Sequence, residues 1–195
     1  MQAASSRVSH RSGTGTYTRV AIALHWIVAT VILCTFLLGL YMSRLPFSPL
    51  KLRLYSYHKW IGISIFLLVV FRLLWRLTHR APPHPPDMPR WQRHAANASH
   101  WLLYGLTLVI PISGWLMSSA SGIKVVYFGL IPLPDLLEKN KPLAEQLVWV
   151  HDALNYLMLA VVVLHVAAAL KHHFLDRDDV LNRMVPVIKP RSRVT

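Results

Sequence analysis

Along this chain, apolar residues gather in long blocks instead of alternating with polar ones. Four blocks reach the roughly 20 helical residues that cross a bilayer. They are about Val20–Met42, Tyr57–Leu77, Ala98–Ser118 and Leu147–Leu170. The first three lack Asp and Glu, and the fourth holds only Asp152, near one end. One such block could be a buried helix of a soluble core. Four of them in 195 residues leave too little polar surface for a water-soluble protein. The pattern predicts an all-α, integral membrane four-helix bundle.

Composition agrees: 54% of residues are hydrophobic and 15% charged, against about 25% charged in a soluble domain. The first block is not a cleaved signal, because its apolar run exceeds about 15 residues and no small-residue cleavage site follows. Residues 1–16, MQAASSRVSHRSGTGT, read as a flexible polar tail. Residues 17–186 form the membrane domain and 187–195 a basic tail. The proline-rich stretch 81–89, APPHPPDMP, is expected to be an extended link. Segment 128–146 is the longest external connection and is expected to carry a short interfacial helix. Pro111 falls inside the third block and is expected to kink it.

Lys and Arg near the span ends orient the bundle. Fourteen fall on one side of a four-span layout, among them Arg7, Arg19, Arg72, Arg76, Arg90, Lys171 and Arg177. The other side has seven: Arg44, Lys51, Arg53, Lys59, Lys124, Lys139 and Lys141. The bias makes both termini cytoplasmic. The net charge of +13 suits anionic lipid head groups. No folded basic surface or recognition element points to nucleic acid. The single cysteine, Cys34, excludes an intramolecular disulfide and a Cys-x-x-Cys-His haem attachment.

Histidine is costly in lipid unless it faces the bundle interior and has a partner. His25, His58, His151 and His165 lie within the apolar blocks. His151 and His165 are fourteen residues apart, which is about 21 Å along the axis and four turns less about 40°. They share a face near opposite membrane surfaces, too far apart for one ion. In an up-down bundle His25 reaches the depth of His165, and His58 the depth of His151. Each pair offers two ligands where structural zinc takes four. Iron in a porphyrin needs only two axial groups, so two haems fit better than bare ions. Gly62, Gly105, Ser113 and Gly114 leave room for such a ring, or simply for close helix packing. His100 opens the third span, where a propionate, a quinone or solvent could meet it.

The stretches YTRVAIALHW (17–26), YHKWIGISIFLLVVFRLLWRL (57–77), HWLLYGLTLVIPISGWLM (100–117) and HDALNYLMLAVVVLHVAAALKHHFLDRDDVLNRMVP (151–186) resemble the prokaryotic cytochrome b561 family of four-helix inner-membrane proteins. The resemblance implies two non-covalent haem b groups with His25, His58, His151 and His165 as axial ligands. It also implies electron transfer to the quinone pool, and in one branch superoxide:ubiquinone oxidoreductase activity. The alternative is a di-haem carrier serving a periplasmic redox protein or dehydrogenase, with no substrate of its own. A haem-free transporter would line a midplane path with polar groups, and the middles of these spans are apolar. Arg72 and Arg76 are expected at haem propionates, and Lys171 and His172 at ubiquinone. The basic set Arg44, Lys51, Arg53 and Lys59 is expected to steer an anion. Purified protein should carry two haem b per chain with low-spin spectra, and alanine at each of the four histidines should perturb one of them. Protein without haem after full haem supply would sink this reading.

Overall fold

The computed structural model describes residues 16–79, 81–85 and 88–185, so the tails expected at 1–16 and 187–195 lie outside it except for residue 16. The four apolar blocks fall inside four long helices: α1 Arg19–Arg44, α2 Pro49–Thr78, α3 Arg90–Ala120 and α4 Lys141–Lys171. Local chemistry fixes where three of them start. Thr18, Ser48 and Asn140 each accept a hydrogen bond from a first-turn amide, and prolines open α2 and α4, where a missing N–H does no harm. Lys51 reaches back to the Ser43 and Leu45 carbonyls at the end of α1, at 3.3 and 2.6 Å. That contact tightens the short α1–α2 turn. α3 runs through Pro111 without ending.

The helices pack in sequence, α1 on α2, α2 on α3 and α3 on α4. Neither α1 nor α2 packs its backbone closely on α4. One apolar cluster joins Val28, Ile65 and Val69 where α1, α2 and α3 meet, and another joins Leu106, Met158 and Val161 between α3 and α4. The polarity is inverted relative to a soluble bundle. Thr35, Thr107, Ser113, Ser118 and Ser119 are buried, while Leu33, Leu37, Phe71, Val163 and Leu164 face outward. Such a surface requires lipid around it, and small polar residues at helix contacts let backbones approach.

The α3–α4 connection departs from expectation. In place of an interfacial helix it holds a β-hairpin, Val126–Tyr127 paired antiparallel with Ile131–Pro132. Pro132 and Pro134 cannot serve a helix interior. Phe128 and Gly129 both take left-handed backbone, at φ 50° and 72°, which turns the chain tightly.

Packing contacts between helices survive in lipid even without a hydrophobic drive. Val69→Ala, at a side chain only 1% exposed, should therefore destabilise the folded protein by about 1–2 kcal/mol. Leu33→Ala, at a side chain 56% exposed, should change stability little. Reversible unfolding in mixed micelles would read both.

Candidate functional site: two histidine pairs across the bundle

α4 supplies one member of each pair. His151, Met158 and His165 recur at heptad spacing, so they form one stripe along the helix. The stripe packs along α3, through Leu106, Ser113 and His100, at the edge of the gap that separates the α4 backbone from α1 and α2. His58 on α2 faces His151 with ring centres 6.3 Å apart. His25 on α1 faces His165 at 6.4 Å. Met158, buried, lies midway between the two levels.

The surroundings of the His58–His151 pair are small and specific. A Cβ on Gly39 of α1 would meet His58 Cε1 at 3.4 Å, and one on Gly114 of α3 would meet His151 Cε1 at 3.2 Å. Ser113 Oγ lies 2.8 Å from His151 Nδ1 and 2.7 Å from the Ile110 carbonyl. A serine has one hydrogen. Given to the Ile110 carbonyl, it leaves Oγ to accept from His151 Nδ1–H. The Nε2 lone pair of His151 is then free, in the tautomer a metal ligand needs. Nδ1 of His58 is buried, close beside Gly39 of α1.

The other pair is differently dressed. Arg72 Nη2 lies 2.9 Å from His25 Nδ1. A guanidinium only donates, so Nδ1 accepts and the neutral ring carries its proton on Nε2. Arg72 and Arg76 both lie over the Tyr104 ring, at 5.4 and 5.6 Å from its centre. Neither reaches a carboxylate: among the described residues, the ion pairs all join Lys171 or His172 to Asp176 or Asp178. His100 stands edge-on to His165 with ring centres 5.5 Å apart. That makes a third imidazole at this level.

Lys171 and His172 end α4, and a π-helical turn, His172–Asp176, follows. Arg177 then takes left-handed backbone at φ 53° and returns Asp178 to His172, whose Nδ1 lies 2.7 Å from the Asp178 carboxylate. Lys171 Nζ is held by Asp176 at 2.6 and 2.8 Å. Ordinary helical spacing brings i+3 and i+4 together. The i+5 and i+6 partners of Lys171 and His172 therefore leave no readable signal in the sequence. Past this turn, the Met184 carbonyl accepts from Trp26 Nε1 at 2.8 Å. The chain from the end of α4 thus straps across to α1.

The four small residues chosen from sequence separate cleanly. Ser113 and Gly114 touch His151, while Gly62 and Gly105 face open space. Gly105 is on the outer surface and Gly62 is half-buried, one turn from His58. Gly39 and Tyr104 were not singled out by the sequence pattern. Gly39 sits in an apolar block like any packing glycine, and only the tertiary fold aims it at a histidine.

An apolar bundle that holds opposed imidazoles at two depths defines a multi-pass membrane protein of the haem-binding, electron-transferring class. The chain belongs to the prokaryotic cytochrome b561 family, whose model matches residues 16–187. It is 35% identical to cytochrome b561 homolog 2 of Escherichia coli (strain K12) over 170 residues, 87% of this chain and 90% of that protein. It is 30% identical to the probable superoxide oxidase CybB of Yersinia pestis over 180 residues, 87% of this chain and 96% of the relative. Cytochrome b561 homolog 1 of E. coli (strain K12) is 26% identical over 171 residues, 87% of this chain and 97% of that protein. Haem b, electron transport and the inner membrane come with the family.

Close approach at Gly114 should be measurable. Gly114→Ala drives a methyl against the His151 ring, and such overpacking costs about 1–3 kcal/mol. Haem b should then be held roughly 5- to 150-fold more weakly. Gly105→Ala should leave retention unchanged. Haem titration of the two apo-proteins compares them.

Proposed function

We propose that the chain binds two haem b groups, one between His58 and His151 and one between His25 and His165, and carries single electrons from superoxide to ubiquinone. The ring separations carry this reading. A metal about 2 Å from each imidazole nitrogen, with each nitrogen about 1.1 Å from its ring centre, sets the centres about 6 Å apart. The separations of 6.3 and 6.4 Å fit that span. The open space beside Gly62 and the two arginines, which pair with no carboxylate among the described residues, support the same reading. When bound, each haem would supply a one-electron redox couple.

The protein's own residues do the rest. Ser113 keeps His151 in the tautomer that offers Nε2. Arg72 leaves Nδ1 of His25 and turns, with Arg76, to the propionates, for which two guanidinium groups are the natural partners. The Lys/Arg bias puts both termini in the cytoplasm, hence His58 and His151 toward the periplasm. Arg44, Lys51, Arg53 and Lys59 then give that face a positive field that raises the encounter rate of a small anion. Each superoxide surrenders one electron and leaves as dioxygen. Two electrons and two protons convert the quinone to its quinol. On the cytoplasmic side Asp178 holds His172 by Nδ1, leaving Nε2 to exchange a proton with a quinone oxygen. Lys171 is engaged by Asp176, so its part is to hold the turn that presents His172. The name of the Yersinia pestis relative supports superoxide as the donor.

In proteoliposomes containing ubiquinone, a superoxide pulse should reduce the haem at a rate that falls as ionic strength rises. His172→Ala should slow quinol formation by about 100-fold, the scale of a lost general acid. The superoxide step should be unaffected. Asp178→Asn should slow quinol formation less and shift its pH profile. A superoxide rate unchanged or raised by salt would rule out steering. Haem that superoxide fails to reduce, but a protein donor does, would replace this reading with that of a carrier for a redox partner.

A further inference from the structure

The hairpin between α3 and α4 does not stand away from the bundle. The chain leaves α3 at Ala120 and reverses at Gly122, whose φ is 71°, with Ile123 N bonded back to the Ser118 carbonyl at 3.0 Å. From there it descends beside the helices it has just left. Trp115 Nε1 donates to the Pro134 carbonyl at 3.1 Å. Trp115 precedes the end of α3 by five positions, about 7.5 Å of helix axis, and helical side chains lean toward the N-terminus. Pro134 therefore lies well below the helix end. On α2, Trp60 Nε1 donates to the Val126 carbonyl at 2.7 Å, and Ser64 Oγ meets Tyr127 OH at 2.9 Å. Both partners lie in the stretch Trp60–Phe71, which holds no charged residue.

The hairpin matches that depth in composition. Val125–Pro134 is ten residues without a charge, bounded by Lys124 and Asp135. Its outward side chains are large and apolar: Phe128 is 57% exposed, Leu130 82% and Ile131 57%. Part of its backbone is paired within the hairpin, by Gly129 N to the Val126 carbonyl, Leu130 N to the Tyr127 carbonyl and Leu133 N to the Val125 carbonyl. Its Val126 and Pro134 carbonyls are taken by the two tryptophans. Paired backbone is the condition for non-helical chain to enter an apolar layer. The indole and phenol groups of Trp60, Trp115 and Tyr127 suit the head-group level.

We infer that this hairpin is a membrane-seated wedge. Phe128, Leu130 and Ile131 are immersed among the upper acyl chains of the leaflet on the His58–His151 side. The occupant of the apolar face is phospholipid, because the hydrogen bonds to Trp60, Ser64 and Trp115 fix the hairpin below the helix ends. A soluble partner would have to meet the water-facing residues beyond it, such as Glu138. The inference does not depend on which donor feeds the protein.

Site-directed spin labelling tests it on the haem-loaded protein in phosphatidylcholine–phosphatidylglycerol vesicles. Cys34 is the only cysteine, so Cys34→Ser gives a clean background for Phe128→Cys, Leu130→Cys and Glu138→Cys. Oxygen concentrates in lipid and a nickel chelate stays in water. The oxygen-to-nickel ratio of collisional relaxation should be several-fold higher at positions 128 and 130 than at 138. Equal ratios at all three positions would overturn the wedge, and the apolar face would then be one for a soluble protein. Two hairpin positions guard against a local effect of either label, and the haem spectrum of each variant reports that the bundle is intact.

Discussion

In the apolar layer of a membrane an imidazole has no water to turn to. The four histidines in the spans therefore constrain the rest of the bundle. Each must face inward, which fixes the rotation of the helix that bears it. α4 carries two on one stripe, so its orientation is set twice, at two depths. α1 and α2 each carry one and answer at the matching level. The helices that share a histidine pair, α1 with α4 and α2 with α4, do not pack closely on each other. α3 provides the continuous contact with α2 and α4, while the α4 backbone stands off from α1 and α2. That gap is where the paired rings meet.

The two levels are not equivalent. Around His58 and His151 the neighbours are glycines and a serine, which admit close approach and set a tautomer. Around His25 and His165 they are two arginines, a tyrosine and a third histidine, His100. One level is lined by small neutral groups, and the other by cations that pair with no carboxylate among the described residues. The polar work at that end extends through the π turn, where His172 and Lys171 are paired with Asp178 and Asp176.

The ends of the bundle are closed by chain outside the four helices. On the His25 side, the segment after α4 crosses to Trp26 of α1 through the Met184 carbonyl and to the 81–85 link through Arg183 and Pro83. It straps the α1–α4 seam, which has little helix packing of its own. On the other side the hairpin covers α2 and α3 at Trp60, Ser64 and Trp115. Both closures depend on left-handed residues, Arg177 in one and Phe128 with Gly129 in the other.

The sequence by itself determined the four spans, because length and absence of charge are properties of contiguous residues. It also determined which histidines share a level, because helical rise and alternating direction convert position into depth. It could separate neither Gly114 from Gly105 nor notice Gly39, since one contacts a ring and another faces lipid only after the helices are rotated into place. It suggested a helix where the α3–α4 connection forms a hairpin, because apolar composition at the interface suits either and the choice fell to backbone angles at Phe128 and Gly129. The Lys171–Asp176 and His172–Asp178 contacts were likewise decided by tertiary structure, whereas His172–Asp176 follows ordinary i+4 spacing. A widened turn and one left-handed residue bring together groups that regular helical spacing would keep apart.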